Sequence, residues 1–343
     1  MKTTLNIRNV LVFFMLFMIL LGFSCVNAET QKEVVIYTSL DQIFSEPILK
    51  EFEEETAIKV KVVYDTEAAK TTGLVNRLIA EKNNPCADVF WNNEIARTIV
   101  LKEMGILTPY VSPNSDDIPA QFKDKDGFWT GFAARARVLI YNTNLVNEKE
   151  VPQSIFDLTN PKWKGKFCLA NPLFGTTSTH AASLFVKLGD KEAEKFFKDL
   201  KENSVVIVPG NSVSRDRVVE GELAVGFTDT DDAWVAISES KPVKMVYPDS
   251  SGLGTFLIPN TVSLIKGSLH PDEGKKLIDF LLSKKIEEKL AFSPSMQIPL
   301  RKGVKRPSHV PNYGTLKIME INFEKAALKL KDSSVYLQDL FLN

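Results

Sequence analysis

The chain has few of the residues that most often carry out catalysis. It contains only 3 histidines and 3 cysteines, and no nucleophile elbow, histidine-rich metal motif or phosphate-binding loop is present in it. His180 follows a serine- and threonine-rich loop and can reach a cleft, whereas His270 and His309 lie beside prolines in predicted surface loops. We therefore predict that the protein is not an enzyme, and a metal-dependent hydrolase is the least favoured alternative.

The chain also lacks a surplus of charge and a second long apolar segment. Its formal net charge is -1, and no block of five like charges occurs, which argues against a protein that binds the phosphate backbone of nucleic acids. After the first thirty residues, no apolar run is long enough to cross a membrane. We expect a mature chain that is soluble or tethered.

The first thirty residues have the pattern of an export signal. Lys2 and Arg8 precede the apolar run 10–23, and small residues follow it. Two cleavage sites compete: one after Ala28, which defines a signal peptide over 1–28, and a lipobox that would make Cys25 a lipid-modified terminus. Either way, the sequence predicts a periplasmic or cell-surface protein, and the lipobox adds an anchor through Cys25.

The two remaining cysteines are predicted to be separate buried thiols. Cys86 and Cys168 each begin an apolar strand, and the two strands belong to different predicted lobes. A disulfide between them is therefore not expected, although an oxidising compartment would permit one.

Strands and amphipathic helices alternate along the chain, which is typical of an α/β fold. Two long extended segments, 129–142 and 254–265, each suffice to run from one half of the molecule into the other. We predict two lobes joined by these segments, namely 29–133 plus 262–304 and 134–261 plus 305–343. The periodicity predicts helices over 43–56, 67–82, 95–104, 181–188, 191–203, 233–238 and 271–291.

Polar loops follow several predicted strands, and in an α/β layout these loops converge on one cleft. They cover residues 38–41, 92–94, 176–178, 211–214 and 229–232. The last of these loops, 229–232, contains three carboxylates in four residues, namely Asp229, Asp231 and Asp232. Their negative charges need a compensating partner. By itself such a run is typical of a solvated turn, but its place at the cleft favours a ligand site.

Two other features of the cleft have alternative interpretations. Thr176, Thr177 and Ser178 lie at a predicted helix N-terminus, where they either help to bind an anion or cap the helix. Arg135 and Arg137 alternate on an extended segment and point to one face, where they either form salt bridges between lobes or reach a bound anion.

The sequence resembles the periplasmic solute-binding proteins of ABC importers, and among them the branch that contains ferric-ion binders. The resemblance lies in the segments VVIYTSLDQIFSEPILKEFEEETAIKVKVVY, NPCADVFWNNE, RARVLIYNT, LTNPKWKGK and GNSVSRDRVVEGELAVGF, and in the helix after GTFLIPNTVSLIKG. It implies a two-lobe, Venus-flytrap α/β fold with two crossing strands as the hinge. It also implies a small ligand, a membrane permease as the partner, and a monomer.

In the ferric binders, a His, a Glu and an adjacent Tyr pair hold the metal beside an exogenous anion. Carried over to this sequence, the resemblance places Asp41 at the His, Asn93 or Glu94 at the Glu, and Asp231 and Asp232 at the Tyr pair. The predicted metal ligands are therefore Asp41, Glu94, Asp231 and Asp232. The predicted ligand- and anion-binding residues are Ser39, Asn93, Thr176, Thr177, Ser178, Asn211 and Asp229.

Two classes of ligand remain open from the sequence. A shell of carboxylate and amide oxygens suits a hard cation, such as ferric iron, calcium, magnesium or manganese, together with a bound anion. Relatives in this branch instead bind aminoalkylphosphonates such as 2-aminoethylphosphonate. In that case the phosphonate would be bound by Thr176, Thr177, Ser178 and Asn211. The amine would be bound by Asp231 or Asp232.

Overall fold

A computed structural model describes residues 31–65 and 71–342 of the chain. The predicted signal peptide, its two cleavage sites and Cys25 lie outside the described residues. The described residues from Glu33 onward form one compact unit.

Strands and helices alternate through the described residues, as the sequence predicts. The strands are β1 (Glu33–Thr38), β2 (Lys59–Tyr64), β3 (Val89–Asn92), β4 (Leu107–Thr108), β5 (Thr130–Asn142), β6 (Phe167–Ala170), β7 (Val206–Val208), β8 (Val225–Asp229), β9 (Val243–Val246) and β10 (Leu257–Ile265). The helices are α1 (Gln42–Thr56), α2 (Thr72–Ala80), α3 (Ala96–Glu103), α4 (Gly175–Leu188), α5 (Asp190–Glu202), α6 (Asn211–Val219), α7 (Thr230–Ser238), α8 (Pro271–Leu281), α9 (Lys284–Phe292) and α10 (Phe323–Leu342). Over the described ranges, none of these helices combines the length and the apolar character that a membrane crossing requires.

All the strands join one mixed sheet in the order β2-β1-β3-β10-β5-β8-β6-β7, with β4 on β10 and β9 on β5. The central strand β5 changes partner along its length. Its residues 130–136 pair with β10, whereas residues 137–141 pair with β8, both antiparallel. One strand thus links two groups of strands, which we call the first lobe (β1–β4 and β10) and the second lobe (β6–β9). The predicted residue boundaries of the lobes stay predictions.

Strand β5 is buried along its whole length. Burial on both faces explains why the segment TGFAARARVLIYN is almost continuously apolar rather than alternating. Its two charged residues, Arg135 and Arg137, stand on either side of the point where the pairing partner changes. A buried charge must be paired, so these arginines mark a polar cluster at the join between the lobes.

Two helices begin earlier than their hydrophobic periodicity predicts. Helix α4 starts at Gly175 rather than at residue 181, and α7 starts at Thr230 rather than at residue 233. Both first turns consist of polar residues that periodicity alone assigns to loops. The predicted site residues Thr176, Asp231 and Asp232 therefore lie in first helical turns.

Two further expectations are wrong. The predicted helix 271–291 is two helices, and Arg301 Nη2 donates a hydrogen bond to the carbonyl of Leu282 where α8 ends. A side chain from later in the chain thus donates to a carbonyl group that has no partner within the helix. Cys86 is exposed, because it precedes β3 instead of belonging to it, whereas Cys168 is buried in β6 as expected. Neither thiol forms a disulfide in the structure.

Candidate functional site

A small cleft lies where the carboxyl ends of β6 and β8 meet the loop after β3. Its volume is about 40 Å³, which is room for about three water-sized groups. Such an edge is where open α/β sheets place their ligands. The cleft is lined by Asn93, Arg135, Ala170, Asn171, Phe174, Gly175, Thr176, Thr177, Pro209, Gly210, Asn211, Asp229, Asp231 and Asp232.

Asp229, the last residue of β8, is fully buried and accepts hydrogen bonds from four side chains. Arg137 Nη1 donates to Oδ1 at 2.7 Å, while Thr176 Oγ1 at 2.7 Å, Asn211 Nδ2 at 3.1 Å and Arg135 Nη1 at 3.3 Å donate to Oδ2. Burial raises the pKa of Asp229, but attraction to Arg137 and Arg135 outweighs it and holds the pKa below its ordinary value. The carboxylate is thus ionised and holds the cluster together.

Arg135 connects three parts of the cleft. Its Nη1 donates to Asp229 and, at 3.2 Å, to Asp231 Oδ2, and its Nη2 donates at 2.5 Å to the carbonyl oxygen of Asn93 in the first lobe. Burial disfavours the charged guanidinium, yet the carboxylates of Asp231 and Asp229 keep its pKa raised. Arg137 makes no such contact with the first lobe and lies over the ring of Phe227, 4.4 Å from the ring centroid. Arg135 therefore forms a salt bridge at the lobe junction.

Asp231 and Asp232 extend the acidic cluster into the first turn of α7. One carboxylate oxygen each from Asp229, Asp231 and Asp232 lies within 4.8 Å of the others. Asp232 faces Arg215, whose Nη1 is 3.9 Å from Oδ1, and it is half-buried, whereas Asp231 is buried. Both carboxylates lie in the first turn of the helix, where the helix dipole favours negative charge.

The amino termini of α4 and α6 meet on the other side of the cleft. The residues that precede these helices, Phe174 and Gly210, provide no side-chain cap, so backbone N–H groups of both first turns are left for other acceptors. Gly175 has φ of +52°, a conformation that favours glycine. Together these helix ends suit an anion.

The first lobe contributes a hydrogen-bonded loop to the cleft. Ser39 Oγ is 2.7 Å from Asn92 Oδ1 and accepts the backbone N–H of Asn93 at 2.8 Å. Only Asn93 of these residues lines the cleft itself. Asp41 is half-buried just before α1, and its backbone carbonyl accepts the first hydrogen bonds of that helix. This loop thus presents backbone and amide groups towards the second lobe.

Glu94 is fully buried, and its carboxylate is already well bonded. Its two oxygens accept the backbone N–H groups of Ala96 at 2.8 Å and Arg97 at 2.9 Å, at the start of α3. Oε2 also accepts the hydroxyl of Thr179, from α4, at 2.6 Å. Glu94 does not line the cleft.

Of the eleven predicted site residues, the structure brings seven to the cleft: Asn93, Thr176, Thr177, Asn211, Asp229, Asp231 and Asp232. Ser39, Asp41, Glu94 and Ser178 lie outside its lining. Sequence reasoning missed Arg97, whose Nη2 donates to the carbonyl of Leu173 at 3.1 Å. No sequence signal marks that contact, because it joins residues 76 positions apart.

The imidazole nearest to the site in sequence, His180, belongs to the core. Its ring stacks on Phe256 at 4.6 Å and meets Phe227 edge-on at 5.3 Å. Burial, with Arg137 nearby, lowers the pKa of His180 well below its ordinary value. A neutral, stacked histidine is a packing residue here.

The arrangement of two lobes, a shared strand and a polar cleft at the strand ends matches a known family. Residues 84–323 match the model of the bacterial extracellular solute-binding proteins. The chain belongs to this family. Membership confirms the predicted location outside the cytoplasm, the role of solute capture, and the dependence of such a protein on an importer permease.

Individual members of the family extend the comparison. Iron uptake protein A1 of Synechocystis sp. is 27% identical over 307 residues, which cover 86% of this chain and 83% of the relative. The ferric binding protein of Campylobacter jejuni has 25% identity and a TM-score of 0.81, with 90% of this chain and 99% of that one covered. The periplasmic binding protein AfuA of Actinobacillus pleuropneumoniae, solved with exogenous fructose-6-phosphate bound, has 26% identity, a TM-score of 0.80, and 90% and 98% coverage.

These likenesses confirm the predicted α/β fold with two lobes. The family consists of binding proteins, and its members work with small ligands.

Proposed function

We propose that this solute-binding protein captures a hard cation, ferric iron, together with an oxyanion, and delivers it to the permease of an ABC importer. The observation that carries the proposal is the cluster of three carboxylates within 4.8 Å at the cleft. Iron uptake protein A1 and the Campylobacter jejuni ferric binding protein support it as relatives. We further propose that the protein acts as a monomer and does not transform its ligand.

The carboxylates do not contribute equally in this proposal. Both oxygens of Asp229 accept hydrogen bonds from the two arginines, so Asp229 orients the cluster. Asp231 and Asp232 supply the oxygen ligands, which are the type that hard cations prefer. Asp41, which lies outside the lining of the cleft, is proposed as a further ligand from the first lobe.

The oxyanion is proposed to bind at the amino termini of α4 and α6. The first turns of both helices line the cleft there, with Gly175, Thr176, Thr177, Gly210 and Asn211. Their backbone N–H groups are proposed to donate to the anion. An anion at this place would complete the coordination of a trivalent ion and reduce its charge. Phosphate, carbonate and citrate have the required chemistry.

The test of the proposal combines metal analysis with melting temperatures. We expect protein purified without chelator to contain about one iron per chain, and ferric iron with phosphate to raise the melting temperature of the wild type. In Asp231→Ala/Asp232→Ala, that increase should disappear while the ligand-free protein still folds, with a lower melting temperature because buried Arg135 loses Asp231. A double variant that still responds fully to ferric iron would contradict the assigned ligands.

A phosphorylated or phosphonate ligand is the second candidate. Two helix N-termini and the buried Arg135 favour an anionic group at one end of the cleft, and AfuA was solved with a sugar phosphate. Asp231 and Asp232 would then accept hydroxyl or ammonium groups. A rise in melting temperature with 2-aminoethylphosphonate or fructose-6-phosphate, and none with ferric iron, would favour this candidate.

A further inference from the structure

Two side chains at the start of α3 reach across to α4, which belongs to the other lobe. Thr179 Oγ1 donates to Glu94 Oε2 at 2.6 Å. Arg97 Nη2 donates to the carbonyl oxygen of Leu173 at 3.1 Å and lies 3.4 Å from Ser178 Oγ. Residues 94 and 97 follow β3, whereas 173 to 179 follow β6. These contacts therefore join the first lobe to the second.

The hydrogen bonds of Glu94 divide into two sets. The backbone N–H groups of Ala96 and Arg97 belong to its own lobe and cap α3. These bonds hold the carboxylate in place from within the first lobe, because donor and acceptor move together with α3. Only the bond from Thr179 depends on the position of the second lobe, so it forms when the lobes are close together.

We propose that Glu94, Thr179 and Arg97 form a latch that holds the lobes closed over the ligand. The latch rests on the proposed function, because the first turn of α4, which carries Thr176 and Thr177, lines the cleft. A ligand that orders this turn also places Thr179, one turn later on the same helix, against Glu94. Glu94 is then a positioning residue that sets how long the ligand stays bound.

The latch can be tested without disturbing the carboxylate. Thr179→Val removes the hydroxyl at nearly constant shape, and Glu94 Oε2 keeps the N–H of Ala96. We expect ferric iron, loaded with phosphate and removed by a chelator in stopped flow, to leave Thr179→Val about tenfold faster, since a hydrogen bond to a charged group has about that effect. The association rate and the melting temperature of the ligand-free protein should change little.

Thr179→Ser is the matched control, because it restores the donor and should restore slow release. Arg97→Ala removes the second contact and should also speed release. A role in folding alone would lower the melting temperatures of the ligand-free and loaded proteins equally and leave the release rate unchanged. That result in Thr179→Val would overturn the latch.

The latch can also be tested if ferric iron is not the ligand. If the wild type does not bind ferric iron with phosphate, the same variants are compared without ligand by small-angle scattering. In this proposal the ligand-free chain exchanges between an open and a closed form, and the bond from Thr179 favours the closed form. The latch then predicts a larger average radius of gyration for Thr179→Val than for the wild type and for Thr179→Ser. Equal radii for all three proteins would overturn it.

Discussion

At the scale of single residues, Asp229 determines what the acidic cluster can do. It receives four hydrogen bonds and two positive charges, so it is the residue least able to bind a cation. The neighbouring Asp231 and Asp232 lie in the same cleft, where Asp231 pairs with Arg135 and Asp232 faces Arg215. Three carboxylates that look alike in the sequence thus have different surroundings.

The first prediction concerns the charge of Asp229. In Asp229→Asn, buried Arg137 loses its only carboxylate partner among the described ion pairs, whereas Arg135 keeps Asp231. We expect a loss of about 3–5 kcal/mol in the free energy of unfolding, measured with urea at neutral pH. Asp232→Asn, at a half-buried position, should lose no more than about 1 kcal/mol.

The difference in stability between the wild type and Asp229→Asn should depend on pH. The pKa of Asp229 is lowered in the folded protein, so its contribution to stability is present above the unfolded pKa of about 3.9. That contribution is lost as the pH falls through the lower, folded-state pKa. Wild type and Asp229→Asn should therefore converge in urea midpoint below about pH 4, and a constant difference down to pH 2 would contradict the charge argument.

The acidic residues of the cleft could be predicted from the sequence, but their hydrogen-bond partners could not. Asp229, Asp231 and Asp232 could be predicted because they follow an apolar strand. The hydrogen bonds of Glu94 could not, since they depend on where α3 begins and on Thr179, which is 85 positions away. Local patterns do not encode such long-range contacts.

At the scale of elements, the error in the helix starts has a single cause. Hydrophobic periodicity begins only where a helix packs on the core, but backbone hydrogen bonding begins earlier. The first turns of α4 and α7 are polar, and their residues are buried by the cleft cluster instead of by apolar neighbours. Functional helix ends are therefore where periodicity is least informative.

A strained residue on β5 adjoins the second long strand, β10. Ala133 has φ of +37°, which is unusual for a residue other than glycine. Its N–H donates to the buried Glu287 of α9 at 2.8 Å, and Asn260 Nδ2 donates to its carbonyl oxygen. The register of β10 on β5 shifts between Pro259 and Asn260, next to this point. The surrounding hydrogen bonds hold Ala133 in this strained conformation.

The prediction for this element concerns Glu287. Its carboxylate also accepts Leu300 N–H at 3.1 Å and Arg301 Nε at 2.8 Å, and both charged side chains are buried. Glu287→Ala should cost about 3–5 kcal/mol in urea unfolding, because it leaves Arg301 with only the half-exposed Asp117 as an ionic partner. Lys284→Ala, on the exposed side of α9, is the control and should change stability by less than about 1 kcal/mol. If the two substitutions lower the free energy of unfolding equally, the buried ion pair between Glu287 and Arg301 does not have the importance assigned to it here.

At the scale of the whole molecule, β5 belongs to both groups of strands, and β10 runs beside it. Two extended segments could be predicted from the sequence, because segments of that length without turn residues are uncommon. The position at which β5 changes partner could not be predicted, because it depends on the pairing of β8 and β10. The lobes are therefore joined at their backbones through β5 and β10.

The last prediction is that ligand binding makes the molecule more compact. A cleft whose ligands come from both lobes binds the ligand more tightly when closed, and the ligand shifts the population by that difference in affinity. In small-angle scattering, we expect a radius of gyration on the order of 20 Å for the closed chain, reached on addition of ferric iron with phosphate. Asp231→Ala/Asp232→Ala should retain the larger ligand-free radius under the same conditions. If the wild type binds the ion at full occupancy and its radius does not change, capture by closure is the wrong mechanism, and the ion binds to one lobe alone.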